Sequence, residues 1–443
     1  MRLSRHQLLL LVLLTASSIG YVCVGYVVTR EQSEVISLVF TILFAAYGWL
    51  VLTRERINIR QIVTWAVVFR ILFLLSFPVL SDDIYRFIWD GYLLNAGINP
   101  FSHLPAFYLE NEIQIPGITT ELYKLLNSPT YYTVYPPLAQ FIFWIATWAG
   151  EAPHTGAIVI RVFIIAAEVA SLQLMMYLLR VYRLPARNVL IYALNPLVII
   201  ELTGNLHFEA FMILFLLLAM FCLVSNRVVR AGMFMAASVA SKLIPLMLLP
   251  LFIKRLKFKK LVYFYLSTGA FIILFFLPLL SNEFLTGMSD SIGLYFQKFE
   301  FNASIYYLLR EVGFLITGYN TIAVIGKMLP IVVVAGIVLL TVFNRQSTWH
   351  AMLWSLTLYL LLSTTVHPWY IATLVGLSVF TSYRFPAMWS WLIMYTYLGY
   401  SADGFSENYW VITIEYFVVI AYLIYEIYES YQKRHEIPHQ PAA

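Results

Sequence analysis

The sequence predicts an all-α, polytopic integral membrane protein, and three observations carry that reading. Hydrophobic residues make up 61% of the 443 residues and charged residues 12%, against about 25% charged in an ordinary soluble domain. Apolar runs long enough to cross a hydrocarbon core of about 30 Å recur from residue 8 to residue 429. Lysine and arginine gather in the short stretches between those runs. Such runs must be helices, because lipid offers backbone N–H and C=O groups no partners. About 12–14 membrane helices are expected, in one transmembrane domain covering residues 1–443.

Basic loops stay on the cytoplasmic side, which allows each element to be threaded in order. Arg2 and Arg5 begin inside. The first apolar run is too long for the h-region of a signal peptide, about 7–15 residues, and is expected to be retained. Spans at 8–28 and 35–53 lead out and back to Arg54, Arg56 and Arg60, and a third at 62–80 delivers Ser81 to the outer face. Residues 81–156 then form an extracytoplasmic loop. Within it, Pro136–Gly150 is expected to lie along the interface as a juxtamembrane helix anchored by Trp144 and Trp148. Counted as a crossing, it would strand Arg180, Arg183 and Arg187 outside.

Spans at 157–179, 188–203 and 208–225 follow. Residues 231–253 lie between two basic loops, so they leave and return to the same side, with a break at Ser241, Lys242 and Pro245. Broken helices at membrane depth are tolerated only where they line protein or a wet cavity. Spans at 261–280, 321–343, 347–363, 368–382, 386–400 and 409–429 complete the alternation, with 430–443 as a cytoplasmic tail. The net charge of +5 is small for this length, so it reads as a topology signal and no nucleic-acid partner is expected. Cys23 and Cys222 fall in spans of opposite direction and are expected to stay unpaired.

This threading gathers the polar residues that membrane thermodynamics disfavours onto the outer face. Asp82, Asp83, Arg86, Asp90, His207, Glu209, Lys242, Glu300, Asn302 and His367 all fall there. Ser81–Asp90 reads as the start of a helix with Ser81 as a cap, and Asp82, Arg86 and Asp90 at i, i+4, i+8 share one face. A row of capping acids and ion pairs explains part of that pattern. A carboxylate at a membrane boundary facing a cavity can also serve as a general base. Lys242 in a broken apolar hairpin suits a contact to a phosphate first, with snorkelling or a pairing with a nearby acid as the alternatives. His207 and Glu209 follow Asn205 at a turn and read equally as polar caps of that turn, and Asn302 precedes a short amphipathic helix and reads first as its cap. His367 and Trp369 open a span in the run His-Pro-Trp-Tyr. Arg161 and Glu168, seven residues apart, read as an intramembrane pair. The histidines and acids lack metal-ligand spacing, so no metal or cofactor is expected, although a divalent cation is not excluded.

The run SDDIYRFIWDGYLLNAGINPF from Ser81 and the run YTVYPPLAQFIFWIA from Tyr132 resemble the GT-C superfamily of integral-membrane glycosyltransferases. The likeness is nearest to mannosyltransferases that use a polyprenyl-phosphate sugar, and it extends over about residues 80–375 through NPLVIIELTGNLHFEAF, ASKLIPLMLLPLF, FEFNASIYYLL and HPWY. The sequence departs from the family in placing its acidic loop after the third span rather than the first, and in having adjacent acids rather than Asp-x-Asp. The resemblance implies a polyprenyl-phosphate-linked sugar donor, mannose favoured, and a lipid or glycan acceptor. It also implies an active site on the extracytoplasmic face of the inner or plasma membrane.

On that reading Asp82 or Asp83 is the base, with Asp82 ranked ahead because it shares a helix face with Arg86. Tyr85, Arg86, Asp90, Tyr135, His207, Glu209, Lys242, Asn302, His367 and Trp369 are the candidate substrate-binding residues. Inverting attack on the anomeric carbon would leave a phosphate stabilised by fixed positive charge. A transporter or flippase for a lipid-linked solute also uses broken helices and intramembrane charge. The one-sided gathering of polar residues and the absence of an inverted repeat favour the transferase.

Overall fold

The computed structural model describes residues 4–53, 57–150 and 152–435. Arg2, Arg54, Arg56 and the end of the expected tail therefore lie outside the described residues. Apart from one short hairpin, Tyr400–Ser401 paired with Gly404–Phe405, and an isolated bridge between Phe301 and Thr365, the regular structure of the described residues is helical. Six of its helices are long and apolar enough to cross a membrane, or seven with one bent pair counted as a span. The other apolar segments are shorter or broken, which is where the structure departs from a row of full-length crossings.

Helix α1 (Arg5–Tyr26) starts at a capping box in which Ser4 and Gln7 satisfy each other's backbone N–H groups. It packs on α2 (Ser33–Leu52) and α3 (Ile59–Leu72), the last capped by Asn58. The chain then unwinds over 73–82 before α4 (Asp83–Asn95), which Gly97 ends at φ +73°. Two short helices, α5 (Pro105–Glu110) and α6 (Thr120–Lys124), cross the loop to α7 (Pro137–Trp148). At 12 residues α7 is about 18 Å long, well short of a hydrocarbon core. It lies against α4 so closely that a Cβ on Gly91 would meet the Phe143 carbonyl at 2.5 Å. Trp148 is 78% exposed and stacks parallel to Trp144.

The long α8 (Pro153–Val181) leads to α9 (Val189–Ala193), where Pro196 interrupts the expected span. The chain bends by 57° into a π-helical segment, Val198–Gly204. The carbonyls orphaned by that break find side-chain donors. Tyr47 donates to Ile191 O and Arg70 to Ala193 O, while Arg161 donates to Thr203 O and Gly204 O. This corrects the expected Arg161–Glu168 pair. Seven residues along one helix are about 10 Å apart, and Glu168 instead pairs with Arg70 across the bundle at 2.8 Å.

Helices α10 (Glu209–Val224) and α11 (Val228–Ser241) follow, and α11 breaks at Lys242 into a 3₁₀ segment, Ile244–Phe252. Pro245 and Pro250 lack the N–H that an α-helix there would use. Helix α12 (Phe258–Phe276) follows, and α13 (Asn282–Gln297) and α14 (Ile305–Thr317) come after it. The closing elements are α15 (Ile322–Phe343), α16 (Thr348–Leu362), α17 (Ile371–Ser378), α18 (Phe385–Leu392) and α19 (Tyr409–His435). Helix α19 runs six residues past the expected end of its span. Large apolar side chains on α12, α15 and α19, such as Phe258, Phe343 and Phe417, stay more than 70% exposed. In water such bands would aggregate, and in lipid they are the solvated surface.

Two sets of residues occupy opposite ends of this bundle. Arg30 reaches Asp82, His207 stacks on Trp369 and Lys242 meets Glu209 at one end. Arg187 reaches Leu50, Lys254 reaches Val342 and Arg384 reaches Asn188 at the other. Single cysteines at Ser102, Asn282 and Ser406, in a background lacking Cys23 and Cys222, are expected to react with an impermeant thiol reagent in intact cells. Protection of Ser102 together with labelling at Arg183 would reverse the orientation.

Candidate active site

Asp82 and Asp83 stand where the chain passes from the unwound stretch into α4. Asn205 accepts the Leu80 N–H and so fixes the approach. Asp82, rather than the expected Ser81, occupies the cap position, and its carboxylate makes no cap bond. Ser81 Oγ accepts the Asp83 N–H at 3.3 Å. The Asp82 carboxylate turns instead to Arg30, whose guanidinium also lies 5.3 Å over the Tyr400 ring. Asp83 accepts hydrogen bonds from Asn127 Nδ2 at 2.7 Å and from Tyr135 Oη at 2.9 Å. Successive residues at a helix start point roughly 100° apart, so the two acids face different surroundings.

Two cavities meet beside Asp83. One, of about 400 Å³, is walled mainly by apolar side chains, including Phe87, Met247, Leu329, Val333 and Ile337. The other, of about 330 Å³, is polar and aromatic, with Arg30, Tyr131, Tyr132, Tyr397 and Tyr400 in its wall. Asp83, Val134, Tyr135, Thr365 and Trp369 line both. Asp82 lines only the polar one.

Arg86 reaches the polar cavity, and two of its three guanidinium nitrogens are engaged in the wall. Its Nε donates to Asp90 Oδ1 at 2.8 Å and its Nη1 to Tyr131 O at 2.9 Å. Gln140 Nε2 donates to the other Asp90 oxygen, also at 2.9 Å. This buried network ties α4 to α7 and to the loop that supplies Tyr131 and Tyr135, so Arg86 and Asp90 hold the cavity wall in place. Tyr85 is outside both cavities and packs near Phe77.

Trp369 lies between two imidazoles, with His207 stacked at 3.8 Å on the apolar side and His367 at 4.4 Å on the polar side. Leu206 makes the turn before His207 at φ +67°, a conformation that non-glycine residues seldom adopt. Burial lowers the pKa of His207 to about 4 and that of His367 to about 3. Both rings are therefore neutral near pH 7 and offer hydrogen bonds rather than charge. Lys242 pairs with the fully buried Glu209, lies 4.9 Å over the Tyr370 ring and lines the apolar cavity. Its side chain keeps 23% exposure and forms part of that cavity's wall. Asn302 lies elsewhere. It neither caps α14, whose cap position is Ser304, nor lines either cavity, and its amide donates to Glu415 on α19. Among the described residues no three His, Cys, Asp or Glu side chains cluster to hold a metal.

Residues 15–256, more than half of the chain, match the family model of the alpha-(1->6)-mannopyranosyltransferase N-terminal domain, the MptA_B family. The chain belongs to this family. Its role is mannosyl transfer, carried out by a GT-C-like membrane protein. No curated protein and no solved structure matches it. The matched segment of the mannosyltransferase contains Asp82, Asp83, Arg86, Asp90, Tyr135, His207, Glu209 and Lys242, and ends before Asn302, His367 and Trp369. Sequence reasoning missed Arg30 and Asn127 in the mannosyltransferase. Arg30 carried a signal, since the charge-based threading puts this arginine in an outer turn, against the positive-inside pattern on which that threading rests. Asn127 carried none, because nothing local marks an asparagine 44 residues from its carboxylate partner.

Proposed function

We propose that this mannosyltransferase moves mannose from a polyprenyl-phosphate carrier to a hydroxyl of an extracytoplasmic acceptor, with inversion and with Asp83 as the general base. The observation that carries the reading is that Asp83 lines both cavities. An apolar cavity suits the isoprenoid end of the donor, and the aromatic walls of the polar one suit the faces of a pyranose acceptor. The donor phosphate sits near Lys242 and the sugar bridges the junction. Asp83 removes the acceptor proton as its oxygen attacks the anomeric carbon, and the bond from that carbon to the phosphate oxygen breaks. Tyr135 and Asn127 hold the carboxylate in place. Lys242, with neutral His207 as a hydrogen-bonding neighbour, stabilises the departing phosphate. Asp82 anchors Arg30 at the rim of the polar cavity. The family's α-(1→6) linkage is the linkage expected of the product.

The test is to incubate the purified protein with polyprenyl-phosphate [¹⁴C]mannose and a mannose-terminated acceptor, following loss of lipid-linked label. Transfer from a nucleotide sugar with no transfer from the lipid-linked one would overturn the donor assignment. Lys242 gives a second expected result. Lys242→Met alone uncovers the buried Glu209 charge and should destabilise the protein. Combined with Glu209→Gln, it should regain stability yet bind donor about 10–100-fold more weakly, the contribution of one charge-assisted hydrogen bond. Normal donor affinity in the double variant would make Lys242 purely structural.

A further inference from the structure

Glu201 lies in the π-helical segment Val198–Gly204 with 0% exposure, and it lines neither cavity beside Asp83. An ionisable side chain in an apolar membrane run is costly and marks function by default. π-Helical turns likewise recur at functional sites. Both oxygens of this carboxylate accept a hydrogen bond. Tyr397 Oη donates to Oε1 at 2.7 Å, and Asn205 Nδ2 donates to Oε2 at 3.2 Å. His207 Nε2 lies 3.4 Å from the same Oε2. Tyr397 is in the wall of the polar cavity and His207 in that of the apolar one. Asn205 reaches the acids themselves, because its Oδ1 accepts the Leu80 N–H at 3.2 Å, two residues before Asp82.

We propose that Glu201 is a positioning residue for mannosyl transfer, holding Tyr397 in the polar wall and, through Asn205, the backbone that leads into Asp82 and Asp83. This role rests on Asp83 being the base at the junction of the cavities. Chemistry fixes the direction of each bond. The Leu80 N–H can only donate, so Asn205 turns its oxygen to Leu80 and its Nδ2 to Glu201. Glu201 then receives Asn205 on one oxygen and the Tyr397 hydroxyl on the other. A carboxylate offers both oxygens as acceptors, whereas a side-chain amide offers one. An apolar residue, in keeping with the run Val198-Ile-Ile-Glu-Leu202, would offer none. A shift of the Leu80 backbone carries the acids with it, and misplacement by about 1 Å can cost about 10²-fold in rate.

The experiment is a double-variant cycle on the purified full chain, read by steady-state mannosyl transfer, thermal stability and hydrogen exchange at the Leu80 amide. Glu201→Gln leaves one oxygen for two donors, and Asn205→Asp sets carboxylate against carboxylate. Each should lower kcat about 10–100-fold and speed Leu80 exchange. The KM for polyprenyl-phosphate mannose should stay near wild type, because Glu201 lines neither cavity. Combined, the two substitutions restore the match: the introduced amide donates to the introduced carboxylate, and Leu80 and Tyr397 keep their acceptors. The combined variant should regain about tenfold or more of the lost kcat and slow Leu80 exchange again. Thermal stability that changes while kcat per folded molecule does not would overturn the proposal. So would a combined variant no faster than Asn205→Asp, or single variants that lose rate with Leu80 exchange unchanged. If a single variant fails to fold, the combined one decides. A kcat within about tenfold of wild type then supports the role, and a larger loss overturns it. The exchange readout needs no substrate, so its failure is told apart from a failure of the Asp83 assignment, which Asp83→Asn tests.

Discussion

Asp83→Asn is expected to lower mannosyl transfer by about 10²–10⁴-fold, the usual contribution of a general base, with donor binding retained. The substitution keeps the size of the side chain and one acceptor oxygen for Tyr135 or Asn127. Its cost to stability should stay at the level of one hydrogen bond, about 1 kcal/mol. Asp82→Asn is the matched control. It removes an ion pair to Arg30 whose two side chains are 31% and 35% exposed, an interaction that contributes about 1 kcal/mol at most. Transfer in that variant should fall less than tenfold, because the carboxylate at the junction of the cavities is untouched. The measurements are single-turnover transfer and thermal stability of both purified variants. If Asp83→Asn turns over at the wild-type rate, the proposed chemistry fails. If Asp82→Asn is the inactive one, the base is the rim acid and the junction argument is wrong.

Arg70→Leu should destabilise the fold by about 3–5 kcal/mol, because it strands a charge in the bundle interior. Arg70 and Glu168 are both 0% exposed. Glu168 Oε2 accepts from Arg70 Nε and Nη2, and its Oε1 accepts from Tyr192 Oη. The same guanidinium also serves Ala66 O and Ala193 O through Nη1, each at 2.8 Å. Substituting leucine at both Arg70 and Glu168 should recover most of the loss, since a buried pair replaced by apolar groups is often near neutral. What persists should be the orphaned Ala193 carbonyl beside the break. The assay is thermal unfolding in detergent of both single variants and the double. A double variant less stable than either single one would mean that the arginine acts mainly on the broken helix.

The hydrophobic runs, the basic loops and the acids after the third span were legible because each is a local property. Transfer of about 20 apolar residues into lipid depends on those residues alone. The short α7 and the break at Lys242 were likewise readable, from length in one case and from charge balance in the other. The break at Pro196 was not, because Val198–Gly204 continues the apolar run in composition and only its backbone path changes. Partner choice was also hidden. Spacing brings Asp82 to the face of Arg86, and Arg161 to that of Glu168, yet both acids turned to arginines elsewhere, Arg30 in the turn between α1 and α2 and Arg70 on α3.

By itself, then, the sequence determined that the chain is a helical membrane protein, which of its ends carries polar groups and which family its motifs resemble. Tertiary structure decided which acid faces both cavities, since that depends on a rotation of about 100° between neighbours and on loops more than 40 residues away. It also decided that Lys242 is held by Glu209, that Asn302 turns away to α19, and that Trp369 stacks between two histidines. These contacts join residues distant in the chain. Their geometry comes from how the helices pack, and no local pattern encodes it.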